Sequence, residues 1–101
     1  MARSLPPCSV PGGQWRPAIW GHVLYVNGRR FGDVRPDTWP DGGYQAVRRG
    51  VPCTWSAFVF GAGPDTTRQL DDEPHTRRSA MTRVEAFWHY QERVLRTAVV
   101  A

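Results

Sequence analysis

Arg29 and Arg30 follow an Asn27-Gly28 pair, Tyr25 precedes it, and two further arginine doublets, Arg48-Arg49 and Arg77-Arg78, recur along the chain. A guanidinium group reads the guanine edge or grips phosphate, and an aromatic ring beside it packs against a base or a sugar. Tyr25, Arg29, Arg30, Arg48, Arg49, Arg77 and Arg78 are therefore the candidate nucleic-acid-binding set. The chain of 101 residues carries 13 basic groups against 9 acids, a formal net charge of +4, which favours an anionic partner such as DNA. All the basic residues are Arg. The absence of Lys, with Ile19 and Asn27 the lone examples of their types, also reads as the product of a GC-rich genome, so part of the Arg content is codon bias. Arg77 and Arg78 open a helical segment, where an anion is welcome at the helix N-terminus; plain solvation beside Asp71, Asp72 and Glu73 is the competing reading.

Other constellations weigh less. A hairpin turning at Asn27-Gly28 sets His22 opposite Asp33, and a carboxylate beside an imidazole favours the imidazolium. Such a pair is half of a catalytic site, but the sequence ties no nucleophile to it, and a structural cross-strand pair is the better reading. Cys8 and Cys53 belong to no CxxC motif, His22, His75 and His89 lack ligand spacing, and Asp71-Asp72-Glu73 reads as a solvated turn. The expectation is a non-enzyme with no cofactor and no metal. Five Trp are many for a domain of this size. Trp39, Tyr44 and Trp55 are the candidate anchors of a protein-binding surface, and a helix-mediated homodimer through Trp88, Tyr90 and Leu95 is a variant of that reading.

The elements that must position these groups follow from local pattern. Residues 1–18, with Pro6, Pro7, Pro11 and Pro17, read as a Pro/Gly-rich irregular or extended arm, its end pinned by Trp15 and Ile19; residues 19–101 read as the folded domain. Asn-Gly is the favoured pair of a type I′ turn, so residues 20–35 are expected to form a hairpin. With a two-residue turn Val26 pairs with Arg29, Leu24 with Phe31, His22 with Asp33 and Trp20 with Arg35, and the face holding Trp20, Leu24, Val26 and Phe31 is the core face. Residues 44–49 and 55–60 are two more strands, 36–43 and 61–75 are loops, and 76–98 is one amphipathic helix capped by Thr76 or Ser79, with Val84, Phe87, Gln91, Val94 and Ala98 at helical spacing. Burying Phe87, Trp88 and Leu95 is expected to contribute roughly 2 kcal/mol each. The fold class is α+β: a three- to four-stranded antiparallel sheet with one C-terminal helix packed on one face. No apolar run reaches the ~20 residues of a membrane span, and with no export signal at the N-terminus the chain reads as cytoplasmic.

The stretches WGHVLYVNGRRFGDV, GGYQAVRRG or WSAFVFG, and TRRSAMTRVEAFW resemble, in element order, the three-stranded-sheet-plus-helix DNA-binding domain of AP2 type, and the amino-terminal arm-binding domain of phage integrases. That resemblance implies a sheet that enters the major groove, with Arg and Trp touching bases and phosphates. A double-stranded-RNA-binding domain shares the strands and final helix but begins with a helix, for which residues 1–18 hold too many Pro. The functional expectation is a small DNA-binding accessory protein of a GC-rich bacterium or its phage, working through the open sheet face. The alternative is a protein-binding module, such as a phage-encoded inhibitor of a host enzyme or defence complex.

Overall fold

The computed structural model describes residues 7–19, 21–37, 54–61 and 66–98, together with the backbone of residues 99 and 100. Five strands, β1 (Gly13–Ala18), β2 (Gly21–Val26), β3 (Arg29–Pro36), β4 (Trp55–Val59) and β5 (Arg68–Gln69), form one antiparallel sheet in the order of the chain. Among the described residues one helix, α1 (Arg77–Val100), crosses one face and touches β3 and β4. The architecture is the expected α+β, with one strand more than the upper expectation. Among the described residues no helix is long and apolar enough to cross a membrane.

The extra strands come from segments read as an irregular or extended arm and as a loop. Gly13–Ala18 pairs with β2 along its whole length, Trp15 opposite Leu24, despite Pro17. Proline is tolerated there because β1 is an edge strand whose outer side owes the ladder no N–H. Trp15 is buried, as a pinning residue should be, whereas Ile19 is 76% exposed. Within the stretch expected to be one exposed loop, Arg68–Gln69 adds β5 to β4, and His75 bridges to Trp55 just before the helix. The strand expected at 44–49 lies outside the described residues.

Asn27 and Gly28 turn the chain with φ of 52° and 81°, the double positive φ of a type I′ turn, and β2 and β3 fold back as expected. The register holds for Val26–Arg29 and Tyr25–Arg30, then slips by one residue at a bulge: Leu24 faces Gly32, Val23 faces Asp33 and His22 faces Val34. The cause is chemical. Without the slip, Asp33 would turn to the core in line with Leu24 and Phe31, and Val34 would turn away from it. The bulge lets Phe31 and Val34 both reach the helix side and sends Asp33 and Arg35 to the opposite face.

Leu24, Val34, Met81 and Val84 are the largest fully buried side chains, joined in the core by Val10, Trp15, Trp55, Ala57, Val59 and Ala80. Burial of each large apolar side chain contributes about 2 kcal/mol. Helix α1 sits close because Gly32 lacks a side chain: a Cβ there would lie 2.9 Å from Val84 Cγ1 and closer still to the Phe58 carbonyl oxygen. Thr76 caps the helix, its Oγ1 accepting from Ser79 N at 3.0 Å. Phe87 and Trp88 pack partly against the core, but Tyr90, Val94 and Leu95 are exposed, so the helix outruns the sheet and Leu95 does not bury as expected. At 1.5 Å per residue α1 is about 36 Å long, whereas its buried positions end within the first half.

Candidate nucleic-acid interface

Strand alternation assigns Arg16, Val23, Tyr25, Arg30, Asp33, Arg35, Ser56, Phe58 and Gln69 to the sheet face turned away from α1, and Phe60 continues the same phase. No described helix or strand packs on that face. Arg16, Val23, Asp33, Phe58 and Gln69 are successive cross-strand neighbours from one edge of the sheet to the other.

Guanidinium and aromatic groups pair across this face. Arg16 lies over the Tyr25 ring with Cζ 4.8 Å from its centroid, Arg30 over Phe60 at 4.5 Å, and Arg35 over Phe58 at 4.3 Å. Each contact contributes about 0.5–1 kcal/mol at an exposed site. Arg16 also donates to Gln14 Oε1 through Nε at 3.3 Å and Nη2 at 3.1 Å, and Arg35 Nε donates to Asp33. Tyr25, Arg30, Asp33 and Arg35 line a concavity of about 740 Å³ together with Ala18, Ile19, His22 and Val34; Arg16, Phe58 and Phe60 do not line it.

Asp33 stands on the central strand of this face and is 8% exposed. Its Oδ2 accepts from Arg35 Nε at 2.8 Å, while Oδ1 is buried with no hydrogen-bond partner. Burial pushes its carboxyl above the usual carboxylate range, against the opposing pull of the Arg35 hydrogen bond and of the Arg35 and Arg30 charges. Ser56 beside it donates to both carboxylate oxygens of Asp37, at 2.6 and 2.7 Å. The three guanidinium groups thus share the region with the two carboxylates of Asp33 and Asp37, so the surface is mixed in charge rather than a uniform basic patch.

The expected set is divided by the structure. Tyr25 and Arg30 lie on the face away from α1, as adjacent cross-strand partners. Arg29, exposed at the hairpin end, pairs with Val26 in the opposite phase and so is not on this face. Arg77 and Arg78 are exposed at the start of α1, on the helix side of the sheet. Arg48 and Arg49 lie outside the described residues, as do Trp39 and Tyr44 of the alternative protein-binding set. Trp55, the remaining anchor of that set, is buried against the helix and offers no free surface. Arg16, Arg35, Phe58 and Phe60 were missed. Phe58 and Phe60 are visible in the alternation with Ala57 and Val59; Arg16 was concealed by the proline content around it, and Arg35 by the bulge.

The His22–Asp33 pair does not exist. The bulge sets His22 opposite Val34 on the helix side, its ring 6.1 Å from that of Trp55, while Asp33 faces the other way. Burial, reinforced by the Arg77 charge, lowers the His22 pKa, the reverse of what a neighbouring carboxylate would do. Asp71 in the acidic stretch accepts from His75 Nε2 at 2.9 Å and Arg83 Nε at 3.0 Å. The His75 hydrogen bond leads the causes that hold its carboxyl below the usual range. Among the described residues no group of His, Cys, Asp and Glu is placed to hold a metal ion, and the Cys8 thiol is free, its pKa raised chiefly by burial.

No protein-family model, no curated protein and no solved structure matches this chain.

Proposed function

We propose that this chain binds nucleic acid through the sheet face opposite α1. The observation that carries the reading is the array of three arginines, Arg16, Arg30 and Arg35, each with Cζ 4.3–4.8 Å from the centroid of an aromatic ring of the same face. A guanidinium over a ring donates in its own plane, so Arg30 and those N–H groups of Arg16 and Arg35 not given to Gln14 and Asp33 serve phosphate and base edges, and the rings offer stacking area. The helix secures the other face, so the strands present these side chains from a rigid platform. No bond is made or broken in this function; the work is electrostatic attraction refined by stacking.

The test is fluorescence anisotropy of a labelled oligonucleotide against salt. With three phosphate contacts to a single strand, log K is expected to fall with log salt at a slope of about −2. Replacing Arg16, Arg30 and Arg35 together by Ala should abolish binding without changing the circular dichroism. Absence of binding at low salt, or an unchanged affinity in the triple variant, would overturn the reading.

A further inference from the structure

We infer that the face away from α1 takes an unpaired strand, whose bases stack on it, and not a duplex. This rests on the nucleic-acid reading above and names the class of nucleic acid that the face selects.

The first observation is the direction in which the arginines reach. Arg16 of β1 lies over Tyr25 of β2, Arg30 of β3 over Phe60 just after β4, and Arg35 of β3 over Phe58 of β4. Each spends its length sideways, across to the neighbouring strand. A side chain that reads a duplex must instead stand away from the sheet, because base edges lie at the floor of a major groove about 8.5 Å deep. A guanidinium that stood up in this way would leave its ring. The docking inferred here therefore differs from the groove-entering sheet that the sequence resemblance implies.

The second observation is continuity. Tyr25 and Arg30 are cross-strand partners, so Arg16, Tyr25, Arg30 and Phe60 follow one another across the sheet, cation and ring by turns. Phe58 lies two residues from Phe60 in the same strand phase and adds the Arg35 pair beside it. Unpaired bases stack on aromatic rings and on guanidinium planes alike, whereas paired bases keep their faces inside the duplex. Arg16 and Arg30 are exposed and Tyr25, Phe58 and Phe60 half-buried, so both kinds of group reach solvent. Neighbouring strands lie about 4.8 Å apart, which makes the row roughly 14 Å long, room for about two or three bases.

The third is charge. Sequence-independent grip on a duplex comes from its phosphates, and here three guanidinium groups share the region with Asp33 and Asp37. Asp33 keeps a buried oxygen without a hydrogen-bond partner, which is already costly. Phosphate brought beside it adds a like charge; the uncharged face of a base does not.

Fluorescence anisotropy at one salt concentration compares three labelled probes: a DNA strand of mixed sequence, that strand annealed to its complement, and an abasic strand of the same length. The first is expected to bind about tenfold tighter than either of the others. A duplex bound equally well or better, or an abasic strand bound as well as the one with bases, overturns the inference and leaves a phosphate-binding face standing. No binding to any probe overturns both. Tyr25→Leu, which keeps an apolar side chain but removes the ring, should weaken the single strand about tenfold; an unchanged affinity also overturns the inference. The three probes use the unaltered chain, so they decide the matter if that variant fails to fold. An RNA strand of the same sequence separates the two sources of an unpaired strand, because stacking alone makes no use of the 2′-hydroxyl.

Discussion

The indole Nε1 of Trp15 donates to Oε2 of Glu85 at 2.8 Å, joining the first strand to the helix through a buried carboxylate. The other oxygen of Glu85 accepts from the Ser9 amide at 2.9 Å and the Ser9 hydroxyl at 2.7 Å, and that hydroxyl also meets His89 Nε2 at 3.1 Å. Glu85 thus fastens the N-terminal segment across the helix. Glu85→Ala strands two donors, the Trp15 indole and the Ser9 amide, and is expected to destabilise the domain by about 2–3 kcal/mol. Trp15→Phe, which keeps the ring contacts but removes the donor, should cost about 1–2 kcal/mol. Urea midpoints of the single and double variants check the coupling; additive effects would mean that the bond contributes nothing.

Gly32 sits where the helix comes closest to the sheet. A methyl group there meets the Phe58 carbonyl oxygen and Val84 Cγ1 inside van der Waals range. Gly32→Ala is therefore expected to cost about 1–3 kcal/mol by overpacking, although alanine suits a strand better than glycine does. Gly28→Ala, where the added methyl meets nothing but φ is 81°, is a control in which backbone strain acts alone. Combining Gly32→Ala with Val84→Ala should recover part of the loss if the clash with Val84 is its cause.

Much of this architecture was legible because local chemistry decides it. Asn27-Gly28 specifies its turn by the φ both residues must take, and the helical spacing of Val84 and Phe87 marks the packed face of α1, although Gln91, Val94 and Ala98 of the same series are exposed. What was not legible depends on tertiary competition. The bulge after Arg30 exists because Val34 belongs in the core more than Asp33 does, a choice that appears only once the helix lies over β3. With it the face away from α1 changes membership: Tyr25 and Arg30 stay, Arg35 joins, and His22 is separated from Asp33. Strand β1 was hidden because Pro17 and the nearby glycines argue for irregular chain, and edge pairing overrides them.

The helix should also respond unevenly along its length. Val84 is fully buried, whereas Leu95 is 56% exposed. Val84→Ala is expected to cost about 2 kcal/mol, and Leu95→Ser within about 0.5 kcal/mol of nothing beyond its helix-propensity difference. Hydrogen exchange should follow the same gradient, with slow amides near Met81 and Val84 and fast ones after Tyr90. A large loss from Leu95→Ser would show that the exposed end is packed in solution.

His22 and Asp33 have opposite pH signatures, which equilibrium unfolding can separate. The folded pKa of His22 lies below its ordinary 6.5, so near neutrality both states hold it uncharged. As pH falls below 6.5 the unfolded chain takes up the proton first, and folding loses stability until the folded pKa is passed. Asp33 is the mirror case. Its folded pKa lies above the ordinary 3.8, so the folded chain holds the proton longer, and stability is lost as pH rises from 3.8 through the folded value. His22→Gln should therefore flatten the stability profile relative to the parent chain as pH falls below about 6.5. Asp33→Asn should gain stability relative to the parent at pH 7 and lose that advantage below pH 3.8. If Asp33→Asn is instead less stable at pH 7, the Arg35 ion pair outweighs the burial of the carboxylate, and the strain assigned to its unpartnered oxygen is not there.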